Sequence, residues 1–162
     1  MRIRYLLRVR EAEIFNPETI ILHIGHNDLW YHPFYNTHPQ NFKDFSPFVQ
    51  SFITLLREHH PSARIIYSSV YPRSAGPHLD ESEKISYNKL AQRYGVLTQS
   101  TCKREGISLI LNGTLWTSVR QGKENSEYFL ADVLHLNTLG KKVVAVGWIE
   151  AMEAKEGIQE TV

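Results

Sequence analysis

The sequence predicts an α/β domain, with a parallel sheet held between layers of helices. Two observations carry this. Short β-branched apolar runs at residues 19–24, 63–71 and 107–111 alternate with longer stretches whose apolar residues recur at helical spacing. The first run, Thr19 to Ile24, is continuously apolar up to His23, as expected of a strand buried on both faces of a parallel sheet. A chain of 162 residues is enough to bury one good core, so a single domain over residues 1–162 is expected.

The elements follow in order. Residues 3–15 read as an arginine-rich amphipathic helix, stopped by Asn16-Pro17. After the strand at 19–24 comes a loop, 26–45, dense in aromatic residues and histidine. Ser46 reads as an N-cap with Pro47 in the first helical position. Phe48, Val49, Phe52, Ile53 and Leu56 form that helix's apolar stripe. Residues 63–71 are the next strand, followed by a helix at 83–104 that turns Tyr87, Leu90, Ala91, Tyr94, Leu97 and Thr101 inward. Residues 107–111 are a third strand, 115–119 a short extended piece, and 138–154 a last helix.

Composition narrows the partners. The formal net charge is +1, which offers no electrostatic footprint for nucleic acid or a membrane surface. The one cysteine, Cys102, excludes an internal disulfide framework and suits a small buried role in its helix. The N-terminal apolar stretch is broken by arginines, unlike a signal-peptide core, and no run approaches membrane-spanning length; a cytoplasmic location is the default expectation. His26, His32 and His38 recur every six residues, which puts no ligand pair on one helix face and matches no zinc pattern. Neither a metal nor a cofactor is expected.

Two short segments carry chemistry. Gly25-His26-Asn27-Asp28 ends the first strand, where open α/β sheets place ligands. The Asn27 amide can donate to a developing oxyanion. In Asp132-Val133-Leu134-His135 the carboxylate can orient the imidazole and stabilise its cation, leaving His135 as general base. In this order the two segments resemble blocks III (G-x-N-D) and V (D-x-x-H) of the SGNH, or GDSL-type, hydrolases. The helical pattern after Leu136-Asn137 and the strand running into Pro72 are similar to the family as well.

The resemblance implies a three-layer, flavodoxin-like fold with strand order 2-1-3-4-5. It implies ester hydrolysis by a serine, His135 and Asp132, with Asn27 and Gly25 at the oxyanion hole and a small ester as substrate. His26, Trp30 and Tyr31 are candidate pocket residues, though the aromatic pair could equally cover the core under the long loop. Asp28 is expected to brace that loop. The family carries its serine in a G-D-S segment at the end of the first strand. Here residues 1–18 leave room for one helix, and the serines begin at Ser46, after Asn27. Ser68, Ser69 and Ser74 are the nearest alternatives, the first two as strand residues. The expectation is therefore a domain N-terminally truncated relative to the family and catalytically impaired, with a non-catalytic binding module as the alternative. Without the family's first strand, the strand at 19–24 would present an open edge, inviting self-association. His59-His60 are expected as cations at a helix C-terminus, and Lys141 and Lys142 as a solvated helix face.

Overall fold

A computed structural model describes residues 16–26, 45–73, 81–120, 127–130 and 135–154. They form β1 (Thr19–His23), α1 (Phe45–His59), β2 (Arg64–Ser68), α2 (Glu81–Glu105), β3 (Ser108–Ile110), α3 (Gly113–Arg120) and α4 (Thr138–Glu153). The strands form one parallel sheet in the order β1-β2-β3. Thr19 stands opposite Arg64 and His23 opposite Ser68; Ser68 is in turn opposite Ile110.

Because strand side chains alternate, the sheet has two unlike faces. Leu22, Ile65, Tyr67 and Leu109 point to one, where Val49, Ile53 and Leu56 of α1 and Tyr87, Ala91, Tyr94 and Cys102 of α2 cover them. His23, Ser68 and Ile110 point to the other, toward Trp148 and Gly147 of α4. A second, smaller core joins Leu115 and Val119 of α3 to Phe129, Leu136 and Val144. The helices thus lie in two layers, and the α/β sandwich is as expected.

Local chemistry sets the ends of the elements. Gly106, at φ +62°, ends α2: its N–H donates to the Lys103 carbonyl and the Ile107 N–H to that of Cys102. This is the paired bond pattern of a left-handed helix C-terminus, where glycine has no Cβ to clash. Asn137 caps α4, its side-chain oxygen accepting from the Leu139 and Gly140 N–H groups at 2.9 and 3.0 Å. Inside α2, Thr98 and Thr101 are buried, and their hydroxyls donate to the carbonyls of Tyr94 and Leu97.

Several expectations need correction. Residues 115–119 are helical, within α3, since three of its inward residues, Leu115, Ser118 and Val119, are spaced at one helical turn. In β1 only Leu22 is buried and its neighbours are half-buried; on one side β1 pairs with β2, and on the other it has no strand among the described residues. His60 does not face solvent at the end of α1 but is an interior residue, 2% exposed, whose Nε2 has no hydrogen-bond partner among the described residues. The helix begins at Phe45, one residue before the expected cap. The three strands are shorter than their apolar runs. The segment read as a helix at 3–15 lies outside the described residues.

Candidate active site

The carboxyl end of β1 carries the site. Gly25 sits at φ +116°, a backbone conformation open to glycine and strained for any residue with a Cβ. It lets the chain turn sharply out of the strand. Four hydrogen bonds hold the turn. The Tyr67 hydroxyl donates to the Ile24 carbonyl at 3.0 Å. His23 Nδ1 bonds the Ser68 carbonyl at 3.2 Å, so Nδ1 carries the proton. The Tyr71 N–H donates to His26 Nε2 at 3.4 Å, and His26 Nδ1 bonds the Tyr87 hydroxyl at 3.2 Å.

These bonds fix the protonation of His26. An Nε2 that accepts from a backbone N–H leaves Nδ1 as the donor, and the ring neutral. Burial agrees, pushing its pKa down to about 3, with smaller contributions from the nearby charges of His23, Arg73 and His135. His23 is lowered too, chiefly by burial and against the bond to Ser68. Burial raises the Tyr87 phenol, so it stays protonated.

An aromatic wall surrounds the two imidazoles. The Tyr71 ring lies 4.0 Å from His26 and stacks on His23 at 5.7 Å, and Trp148 meets His23 edge-on at 5.9 Å. The Arg73 guanidinium sits 5.1 Å over the Tyr87 ring. Asn88 pins the backbone of Arg73 from both sides, accepting from its N–H at 2.9 Å and donating to its carbonyl at 3.0 Å.

His135 comes from the far end of the chain, on a loop tied down at several points. Its carbonyl accepts from the Leu130 N–H, Phe129 bridges Leu136, and the Asn137 amide donates to the carbonyls of Glu127 and Phe129. The loop feeds directly into α4. His135 is exposed, and its loop reaches the imidazoles through Phe129, whose ring lies 6.3 Å from that of Tyr71. Of the expected site residues, Gly25, His26 and His135 lie among the described residues, the first two at the carboxyl end of β1 and the third ahead of α4. Asn27, Asp28, Trp30, Tyr31 and Asp132 lie outside the described residues, as does Ser74.

The other serines are accounted for. Ser68 is fully buried, and its hydroxyl accepts from the Trp148 indole at 3.1 Å and lies 3.5 Å from the Asn112 amide. Ser69 is buried, and its carbonyl accepts from Asn112 at 2.5 Å. Neither hydroxyl faces solvent. Among the described residues, no group of three or more histidine, cysteine, aspartate or glutamate side chains could hold a metal.

Sequence reasoning missed His23, Tyr71, Arg73, Tyr87, Asn88 and Trp148. One signal was available. A histidine inside an otherwise apolar strand, two residues before the glycine, must find polar partners once buried.

Known folds share this architecture. A GDSL-like lipase from Parabacteroides merdae is similar at TM-score 0.66 and 16% identity, over 92% of this chain and 68% of that one. A catalytic mutant of an acetylxylan esterase from Geobacillus stearothermophilus is similar at TM-score 0.59 and 13% identity, over 94% and 70%. A phospholipase A1 from Streptomyces albidoflavus is similar at TM-score 0.55 and 17% identity, over 83% and 67%. No curated protein matches the chain. The family model of the GDSL-like lipases and acylhydrolases matches residues 2–143, spanning both the Gly25 turn and the His135 loop. The chain belongs to that family.

Proposed function

We propose that this chain carries the acid–base half of a GDSL-type ester hydrolase site. In this reading His135 takes the proton of an attacking hydroxyl as the hydroxyl oxygen bonds the ester carbonyl carbon. Asp132 orients the imidazole and stabilises its cation. Asn27 donates to the oxygen that becomes negative, and Gly25 gives the sharp turn that precedes Asn27 in the chain. His135 then returns the proton to the departing alkoxide. The observation that carries the reading is the chain of rings that links the two segments: Tyr71 lies 4.0 Å from His26 and 6.3 Å from Phe129, which bridges Leu136 beside His135. The substrate is a small ester. Fold-mates acting on acetylxylan and on phospholipid leave its identity to the pocket rather than to the fold.

The nucleophile is the weak link. Serines in the given sequence begin after Asn27, and Ser68 and Ser69 are buried with their hydroxyls turned away from solvent. Loss of a triad serine costs about 10⁶-fold in turnover. Residues 1–162 alone should therefore hydrolyse esters only at trace level. The burial of Ser68 and Ser69 is what favours the second reading, a GDSL-like module that binds rather than cleaves. Assay of short p-nitrophenyl acyl esters, together with a fluorophosphonate serine probe, tests both. Trace turnover, no labelled serine and no effect of His135→Ala support an impaired site. Robust turnover lost in His135→Ala, with one serine labelled, overturns the impairment and identifies the nucleophile.

A further inference from the structure

Among the described residues, helix α4 is covered on one side only. Gly140 and Val144 are buried, and Trp148 faces the sheet. The opposite side leaves large apolar residues in water: Leu139 is 45% exposed, Val146 51%, Ile149 48% and Met152 42%. Single exposed apolar residues are ordinary, but four along one helix, interleaved with Lys142 and Glu150, mark a surface that another molecule covers. At 100° per residue, Leu139, Val146 and Ile149 share one face with Lys142 and Glu150. A groove of about 490 Å³ runs along the flank of this face, between α4 and the end of β3, with Ile110, Val143 and Gly147 in its wall.

The charges on this face have a particular symmetry. Lys142 lies four residues before Val146 and Glu150 four residues after it. When two copies of such a helix pack antiparallel about a two-fold axis at Val146, position 142 of each stands level with position 150 of the other. Lys142 then meets Glu150 of the partner subunit, and the reverse pair forms as well. A two-fold interface requires self-complementarity of this kind. We propose that the exposed face of α4 is an isologous interface that joins two copies of this chain through antiparallel α4–α4 packing centred on Val146. The apolar row supplies the buried area, and the flanking groove receives partner side chains. The two cross-pairs set the direction, since parallel packing would oppose lysine to lysine. One helix of 16 residues is about 24 Å long and buries an area at the low end for stable complexes. The dimer is accordingly weak, with a Kd in the micromolar range.

Sedimentation velocity of the full chain, from low to high micromolar concentration, tests the interface directly. The wild type should pass from monomer to dimer. Val146→Asp changes an exposed residue, so the fold should survive while the dimer is lost at every concentration. Lys142→Glu sets carboxylate against carboxylate at both crossings and should raise Kd about tenfold. Glu150→Lys should do the same, and the double exchange K142E/E150K should return Kd to within about twofold of wild type. A wild type that stays monomeric throughout overturns the proposal. So does a dimer that Val146→Asp spares, which would belong to another surface such as the open side of β1. Failure of the double exchange to restore binding overturns the pairing about Val146. None of these readouts depends on ester hydrolysis, so this inference and the proposed function stand or fall separately.

Discussion

The two faces of the sheet are built on opposite plans. Toward α1 and α2 the strands present Leu22, Ile65, Tyr67 and Leu109, and two long helices close over them with aliphatic and aromatic side chains. Toward α4 they present His23, Ser68 and Ser108 between Ile66 and Ile110, and the Arg64 guanidinium reaches Ser108 Oγ and the Met152 carbonyl. Each polar group on that face takes a specific partner, because burying one unpaired costs more than a hydrogen bond returns. The first face therefore resists change in volume, and the second resists change in chemistry. His23 belongs to the second face, where its bond to the Ser68 carbonyl helps to hold the turn at Gly25.

The contrast can be broken in order of size. Ile53, fully buried between α1 and the sheet, should cost about 2–5 kcal/mol when truncated to alanine. Denaturant unfolding measures this, and a loss under about 1 kcal/mol would mean that the first face is loosely packed.

Acid should attack the imidazole cluster. An unfolded His26 takes its proton near 6.5, the folded one at about 3. Between those values the unfolded state binds more protons, so stability is full above pH 6.5 and drains as pH falls toward 3. The upper bound is about 1.4 kcal/mol per pH unit. His26→Gln should flatten that limb, while an imidazole pKa near 6.5 measured by NMR would show that the turn is not closed as described.

Gly140 gives a smaller effect. A Cβ there would stand 2.2 Å from the Tyr128 carbonyl oxygen and 3.0 Å from Leu136, so Gly140→Ala must push α4 away from the His135 loop. A loss of about 1–3 kcal/mol is expected, with a shifted His135 resonance. A neutral result would mark the loop as pliant. Smallest of all, Val146→Asp should leave stability within about 0.5 kcal/mol, its effect falling on association alone.

Much of this was legible in the sequence, for identifiable reasons. Residues 19–24, 63–71 and 107–111 each announced a strand through their β-branched runs, and α2 announced itself through seven- and three-residue apolar spacing from Tyr87 to Tyr94 and Leu97. The end of β1 was legible because Gly25, at positive φ, stops the apolar run. Other features could not be read. Residues 115–119 mix threonine and valine with tryptophan, and α3 is helical only because Leu115 and Val119 fall into the pocket above Phe129 and Leu136. His60 resembled a helix-end cation until tertiary packing buried it. Tyr71, Tyr87 and Trp148 each sit in patterns that core packing alone would explain. Their role at the imidazoles depends on contacts between residues dozens of positions apart, which no local pattern encodes.

Cys102 offers a use of a different kind. Its thiol is 1% exposed in the larger core, and burial pushes its pKa up to about 12. The thiolate is the reactive species, so the folded chain is silent toward alkylating reagents and disulfides near neutral pH. Labelling can proceed only when α2 lifts from the sheet. The rate at which a thiol reagent consumes this one cysteine is therefore a built-in clock for opening of the aliphatic face, readable by mass spectrometry without any mutation.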